Sequence, residues 1–290
     1  AENAITQHIS GTTRLSLHEA AYGIHQVANS NLVRAIKSVS VERGRDPAEF
    51  ALMAFGGAGP IHAAAVALEL GVRTVLIPPA PGVFSAYGLL RAEVEQHASR
   101  TVLTSTAATD LTAIATAYRE MQTELIVRLE REGYPASRVT IRYFADLRYR
   151  GQSSEITVPM DATEINTDAL RLVEARFETE FERSYGHRGP NKDFELVTCR
   201  MIATVIRDSW QDARWTTDHA AAASRQQRDV YFGRQHGLLP TPVVTREALA
   251  GRAHQGPLIV QEYDTSVVVP PHCTAALDDH VNIVLNIGTA

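Results

Sequence analysis

The sequence predicts an α/β chain: a front part of alternating strands and helices, then a strand-rich α+β part. Three observations carry this. The apolar run FALMAF (50–55) leads through a glycine turn and an alanine-rich helical pattern (60–70) to a second run, TVLIP (74–78). That is the strand–helix–strand order of an α/β sheet. VTIRYFADLRYRG (139–151) alternates with period two, as a half-buried strand does. The tail carries four short strand candidates near 229–233, 257–261, 265–269 and 281–287, separated by Pro, Gly and Asp.

Each element follows from local chemistry. Ser16 and Glu19 form a Ser-x-x-Glu capping box, each side chain meeting the other's orphan backbone N–H. Leu17, Ala21, Ile24, Ala28, Leu32, Ala35 and Val39 then recur at helical spacing, with Gly44 as the stop. FALMAF is apolar almost throughout, the pattern of a strand buried on both faces. Pro60 suits the first position of the next helix and Gly71 its end. PPAPG breaks the chain after TVLIP; SAYGLLRAE predicts a short helix and 94–104 a strand. Asp110 caps a long helix with the stripe Leu111, Ile114, Tyr118, Met121, Leu125 and Leu129, ended by Gly133 and Pro135. SSEITVP is the hairpin partner of the 139–149 strand. A helix follows over 167–184, with Leu170, Val173, Phe177 and Phe181 facing in, then a long strand, FELVTCRMIATVI (194–206). The polar, alanine-rich stretch 209–228 predicts a loop. The change of character near residue 105 divides the chain into domains 1–105 and 106–290.

Composition narrows the function classes. With 290 residues and 44% apolar content, the chain builds a real core. A formal net charge of −5 gives no basic footprint for nucleic acid. Cys199 and Cys273 lie far apart without metal or redox spacing, which fits a reducing cytoplasm. Apolar stretches fall short of the ~20 residues of a membrane span. The N-terminus has no basic flank before an apolar core, so no signal peptide is read there. It begins on Ala1 rather than Met and reads as processed or as a portion of something longer.

Phe55-Gly56-Gly57-Ala58-Gly59-Pro60 is the first candidate site. A strand, a glycine turn and a helix N-terminus together leave free N–H groups pointing outward with no Cβ in the way. The turn lacks the Gly-Lys-Ser/Thr of a P-loop and the G-x-G-x-x-G of a dinucleotide fold. It therefore reads either as a nucleotide contact or as a tight turn kept for packing. PPAPGVFSAYGLL (78–90) is a rim loop or a proline-stiffened connection, and Arg148, Arg150 and Gln152 form a polar strand end that holds a carboxylate or amide, faces solvent or bridges the two domains. His62 follows the turn, where it touches a ligand or sits satisfied and half-buried, and His187 follows a helix C-terminus. The histidines show no metal spacing, and no catalytic residue is assigned.

The segment VSVERGRDPAEFALMAFGGAGPIHAAAVALELGVRTVLIPPAPGVFSAYGLL resembles the hydantoinase A / 5-oxoprolinase family. LRYRGQSSEITVP, FERSYGHRG and GPLIVQEYDTSVVVPP resemble it in the same order. The resemblance implies a partial actin-like (ribonuclease-H-like) ATPase half over 1–105 and the family's α+β C-terminal domain over 106–290. It implies ATP and Mg, with Phe55, Gly56, Gly57, Ala58 and Gly59 on the adenosine side of the nucleotide. The family's phosphate-binding motifs and the Mg site are expected in an N-terminal ATPase portion that this sequence does not contain, so the isolated chain is expected not to hydrolyse ATP. It further implies a hydantoinase B-type partner subunit or domain and a small cyclic amide substrate opened after phosphorylation. A carboxylase subunit and a non-catalytic assembly module are the alternatives.

Overall fold

The computed structural model describes residues 1–108, 110–160, 165–187, 189, 193–206 and 226–288. They form two compact units, and the first is discontinuous: Ala1–Glu42, Asp46–Arg91 and Ala213–Ala290; the second holds Arg43–Arg45 and Ala92–Asp212. Strands from the tail return to complete the front part's sheet.

In the first unit, short helical turns over 2–13 precede α1 (Leu17–Val39). Its capping box is present as expected: Glu19 N–H donates to Ser16 Oγ at 3.3 Å, and Ser16 N–H donates to Glu19 Oε2 at 3.0 Å. Strand β1 (Leu52–Met53) leads into α2 (Gly59–Leu70), β2 (Thr74–Ile77) and α3 (Phe84–Arg91). β1 is a two-residue edge strand, parallel to β2 alone. Phe50, Met53 and Phe55 are exposed, so FALMAF is not the doubly buried strand its composition suggests. Sequence reports apolarity but not whether a second strand lies alongside.

The second unit runs β3 (Glu95–Ser105), α4 (Leu111–Arg131), β4 (Val139–Tyr149), β5 (Ile156–Pro159), α5 (Thr167–Tyr185) and β6 (Phe194–Val205). Its sheet is antiparallel in the order β3-β6-β4-β5. Asp110 caps α4 by accepting the N–H of Thr112 and of Ala113. The predicted stripe, Ile114 to Leu129, is buried against Leu147, Leu196 and Met201 of the sheet, and Phe177 and Phe181 of α5 join the same core. Asp146 is buried though charged; Thr157 Oγ1 and Arg200 Nε each donate to it at 2.6 Å. That satisfaction is what makes a buried carboxylate tolerable.

The chain then re-enters the first unit as β7 (Gln226–Tyr231), α6 (Gly233–His236), β8 (Leu238–Val244), β9 (His254–Gln255), β10 (Leu258–Gln261), β11 (Ser266–Val269), β12 (Cys273–Leu277) and β13 (Ile283–Ile287). The expected loop over 209–228 lies outside the described residues up to 225, and its last residues belong to β7. One sheet has the order β1-β2-β13-β12-β9 and the other β11-β10-β8-β7. The alanine-rich α2 packs on β2, β11 and β13. Its Ala63, Ala64 and Ala67 are buried against Val75, Ile77, Val267 and Leu285; small side chains let the helix axis come close to the strands.

Candidate functional site

The glycine turn lies at the mouth between β1 and α2. Gly56 has φ +84°, in the left-handed region that favours glycine. Its N–H donates to Pro81 O at 2.7 Å, which ties the turn to the 78–84 loop. Gly57 and Ala58 are exposed. Ala58 is the N-cap of α2 and contributes no side-chain cap, and Pro60 has no N–H. The helix therefore opens on uncapped amides. A Cβ on Gly56 would meet nothing within 4 Å; one on Gly57 would meet only Asp264 O, at an ordinary 3.7 Å. The space over the turn is open, as close approach of a ligand to the main chain requires. Beside it, the Phe55 and Phe84 rings lie 5.4 Å apart.

Two other segments hold this mouth in shape. The tip of the β10–β11 hairpin supplies Thr265, whose Oγ1 donates to Gly57 O at 2.8 Å, and Asp264, whose Oδ2 accepts the Gly82 N–H at 2.7 Å. Behind them Arg246 is buried with Glu262, Nη2 to Oε1 2.6 Å. The guanidinium also donates to the carbonyls of Ile77 (3.2 Å), Pro78 (2.9 Å) and Val281 (2.7 Å). Burial pushes the Glu262 carboxyl above its usual range, and the Arg246 charge opposes that shift. Between the two segments Ala80 sits at φ +48°, a conformation that costs a residue with a Cβ about 1–2 kcal/mol. Sequence reasoning missed Arg246, Glu262, Asp264 and Thr265 as parts of this site. The available signal was a charged Glu-Tyr-Asp-Thr tip between two apolar strands.

The other sequence candidates are accounted for by their own surroundings. His62 is satisfied: its Nδ1 meets Asn29 Oδ1 at 2.7 Å and its ring stacks on His25 at 4.8 Å. Arg148 does hold a carboxylate, that of Glu195 at 2.8 Å, and Arg150 reaches Asp193 at 3.4 Å, both within the second unit. Gln152 accepts the Tyr149 N–H. The His187 ring packs edge-on against Phe181. Among the described residues no group of three or more His, Cys, Asp or Glu is placed to hold a metal ion, so no residue of this chain is assigned to Mg. The turn at Gly56 and Gly57 leaves open space over the main chain.

Comparison with known proteins shows the family. The hydantoinase/oxoprolinase family matches residues 1–98, and the hydantoinase/oxoprolinase C-terminal domain matches residues 102–286. An uncharacterized protein of Methanocaldococcus jannaschii is 32% identical over 91% of this chain and 37% of its own length. The caprolactamase alpha subunit of Pseudomonas jessenii is 28% identical over 99% of this chain and 42% of its own. The crystal structure of that ATP-dependent caprolactamase superposes with a TM-score of 0.81 at 26% identity, over 99% of this chain and 42% of that one. A nucleotide-free acetone carboxylase structure gives 0.65 at 22% identity, over 98% and 42%. The chain thus spans about two fifths of the length of these relatives. Its fold is the corresponding part of an actin-like ATPase together with a strand-rich α+β domain. The chain belongs to the hydantoinase/oxoprolinase family.

Proposed function

We propose that this chain is the C-terminal part of an ATP-dependent subunit that opens a small cyclic amide, and that residues 55–59 receive the adenosine side of the nucleotide. The observation that carries the reading is the glycine turn with Gly57 and Ala58 exposed and no Cβ over Gly56 or Gly57, braced by Asp264 and Thr265. The likeness to a caprolactamase subunit supports the substrate class. An amide carbonyl is a poor electrophile; ATP would supply a phosphoryl group that activates the carbonyl carbon towards water, the ring C–N bond breaking with the nitrogen leaving as the amine and phosphate released from the opened acyl product. Within this chain Gly57 leaves room for a base or ribose, Thr265 sets the Gly57 carbonyl, and Asp264 holds the neighbouring loop back. The phosphate cradle and the Mg site belong, in this reading, to the remaining length that the relatives possess. The chain alone then releases no phosphate from ATP, and sustained turnover by it would contradict that. A hydantoinase B-type partner and a cytoplasmic location complete the proposal. Consistent with that location, no described helix is long and apolar enough to cross a membrane.

The test is calorimetry with ATP or ADP on the full-length subunit, wild type against Gly57→Val. A folded variant that has lost nucleotide affinity is the expected result. Unchanged affinity would make the turn a packing device and favour an assembly module. The likeness to the acetone carboxylase beta subunit, 25% identical over 96% of this chain, supports a second reading, carboxylation of a ketone. Dependence of substrate consumption on bicarbonate separates it from amide hydrolysis.

A further inference from the structure

We propose that the first unit carries a second small-molecule site: a pocket of about 480 Å³ behind α2 that takes an uncharged, flat ring compound of one or two rings. Its walls come from α1, α2, the β7–α6 segment and the end of β11. It begins at Ile61 of α2 and includes none of residues 55–59, so it stands independently of the nucleotide reading.

The space is a half-open cleft, and its volume falls in the range of small-molecule sites. Small side chains create it: Ala21 on α1, with Ala64 and Ala65 on α2, face the space where larger residues would fill it. Much of its remaining surface is ring-bearing, set beside the aliphatic Ile61, Leu68, Val230 and Val268. Tyr22 and Tyr231 meet edge to face at 5.7 Å, and the His236 and His272 rings lie 6.3 Å apart at 29°. Pro270 and Pro271 continue that wall. Flat apolar faces set around a cleft favour a planar ring, which stacks or packs edge-on against them.

Charge complementarity sets the rest of the class. Among the described residues lining the pocket there is no Asp, Glu, Lys or Arg, and a buried ligand charge without a partner is costly. His25, the deepest-set imidazole on α1, is engaged by the Asn29 amide at 3.1 Å, and its burial lowers its pKa, favouring the neutral ring. Gln235 and His18, exposed at the rim, are left to hydrogen-bond a neutral polar edge such as an amide.

Benzamide and benzoate share a shape and differ in charge, so they serve as probes. Titrated into the full-length subunit at pH 8 and followed by calorimetry, benzamide is expected to saturate with a Kd of ~1 mM or tighter, and benzoate to bind about ten-fold more weakly or worse. Ala65→Phe fills the pocket and Gln235→Trp closes its exposed rim. Each is expected to weaken benzamide by about ten-fold or more with the thermal midpoint little changed. Should Ala65→Phe fail to fold, the rim variant decides alone. The proposal is overturned by an absence of saturable benzamide binding up to ~10 mM, by benzoate binding as well as benzamide, or by folded pocket variants that bind benzamide like the wild type.

Discussion

Thr265 donates its hydroxyl to the carbonyl of Gly57 at 2.8 Å across 208 residues of sequence. Its neighbour Asp264 holds Gly82 N–H, so one hairpin tip braces both loops of the candidate nucleotide mouth. Thr265→Val keeps the side chain's shape and removes the bond. It should cost about 1 kcal/mol in chemical denaturation and weaken nucleotide binding in the full-length subunit. A Cβ at Gly82 would fall 2.7 Å from Asp264 Oδ2, so Gly82→Ala should detach the same brace. Wild-type stability in both variants would remove the tip from the account.

The two glycines of the turn should respond differently to alanine. Gly56 needs its positive φ, and Gly56→Ala should lose about 1–2 kcal/mol. Gly57 has an ordinary φ and free space for a Cβ; Gly57→Ala should stay within about 0.5 kcal/mol of wild type. Urea midpoints of the two variants check the contrast, and equal losses would contradict it.

Arg246 joins Glu262 to the carbonyls of Ile77, Pro78 and Val281 in a buried network. Arg246→Met leaves a carboxylate and three acceptors without their donor and should destabilise by about 3–5 kcal/mol. Adding Glu262→Leu should recover part of that loss, because the unpaired charge leaves with it. A double variant no more stable than the single would show that the carbonyl contacts, rather than the ion pair, dominate.

His25 gives stability a pH dependence. Burial first, and the nearby His62 second, lower its pKa in the folded state. The unfolded chain then binds the proton more readily, so the stability contributed is full above about pH 6.5 and is lost as pH falls through the depressed folded value. His25→Gln should flatten the midpoint-against-pH curve between pH 7.5 and about pH 5. An unchanged curve would assign the slope to other groups.

Both cysteines are buried. Desolvation raises the Cys199 pKa to about 11, with the Tyr118 hydroxyl pulling the other way, and burial raises Cys273 as well. A soluble disulfide reagent at pH 8 should titrate neither thiol in the native chain and both in denaturant. Rapid native labelling of Cys199 would mean that the second unit opens readily.

Where a signal is local, the sequence already carried the structure. Ser16 with Glu19, and Asp110 before its apolar stripe, marked helix starts to the residue. Residues 139–149 fell where their alternation placed them, and the long strand read at 194–206 is β6. The glycine turn was legible because Gly permits main-chain conformations that other residues avoid and Pro fixes its own, both as local effects. The supports of that turn were not: Arg246 and Glu262 show no sign of pairing in their neighbourhoods. Strand β8 was also hidden, because Pro240 and Pro242 argue against a strand. Both prolines lie opposite β7, while β10 pairs with β8 only at Val243 and Val244, so neither interrupts that second ladder. Cys273–Leu277 has too weak an alternation to be read, yet it lies between β13 and β9.

Strand β13 sits at the middle of its sheet, flanked by β2 and β12. During synthesis, residues 92–212 can leave the ribosome and condense as soon as β6 emerges, because everything their sheet requires precedes it. The glycine turn has no such luxury. Its sheet lacks a central strand until Ile287 has been made, so the segment before β3 waits, exposed to chaperones and proteases, while the second unit and the returning strands are synthesised.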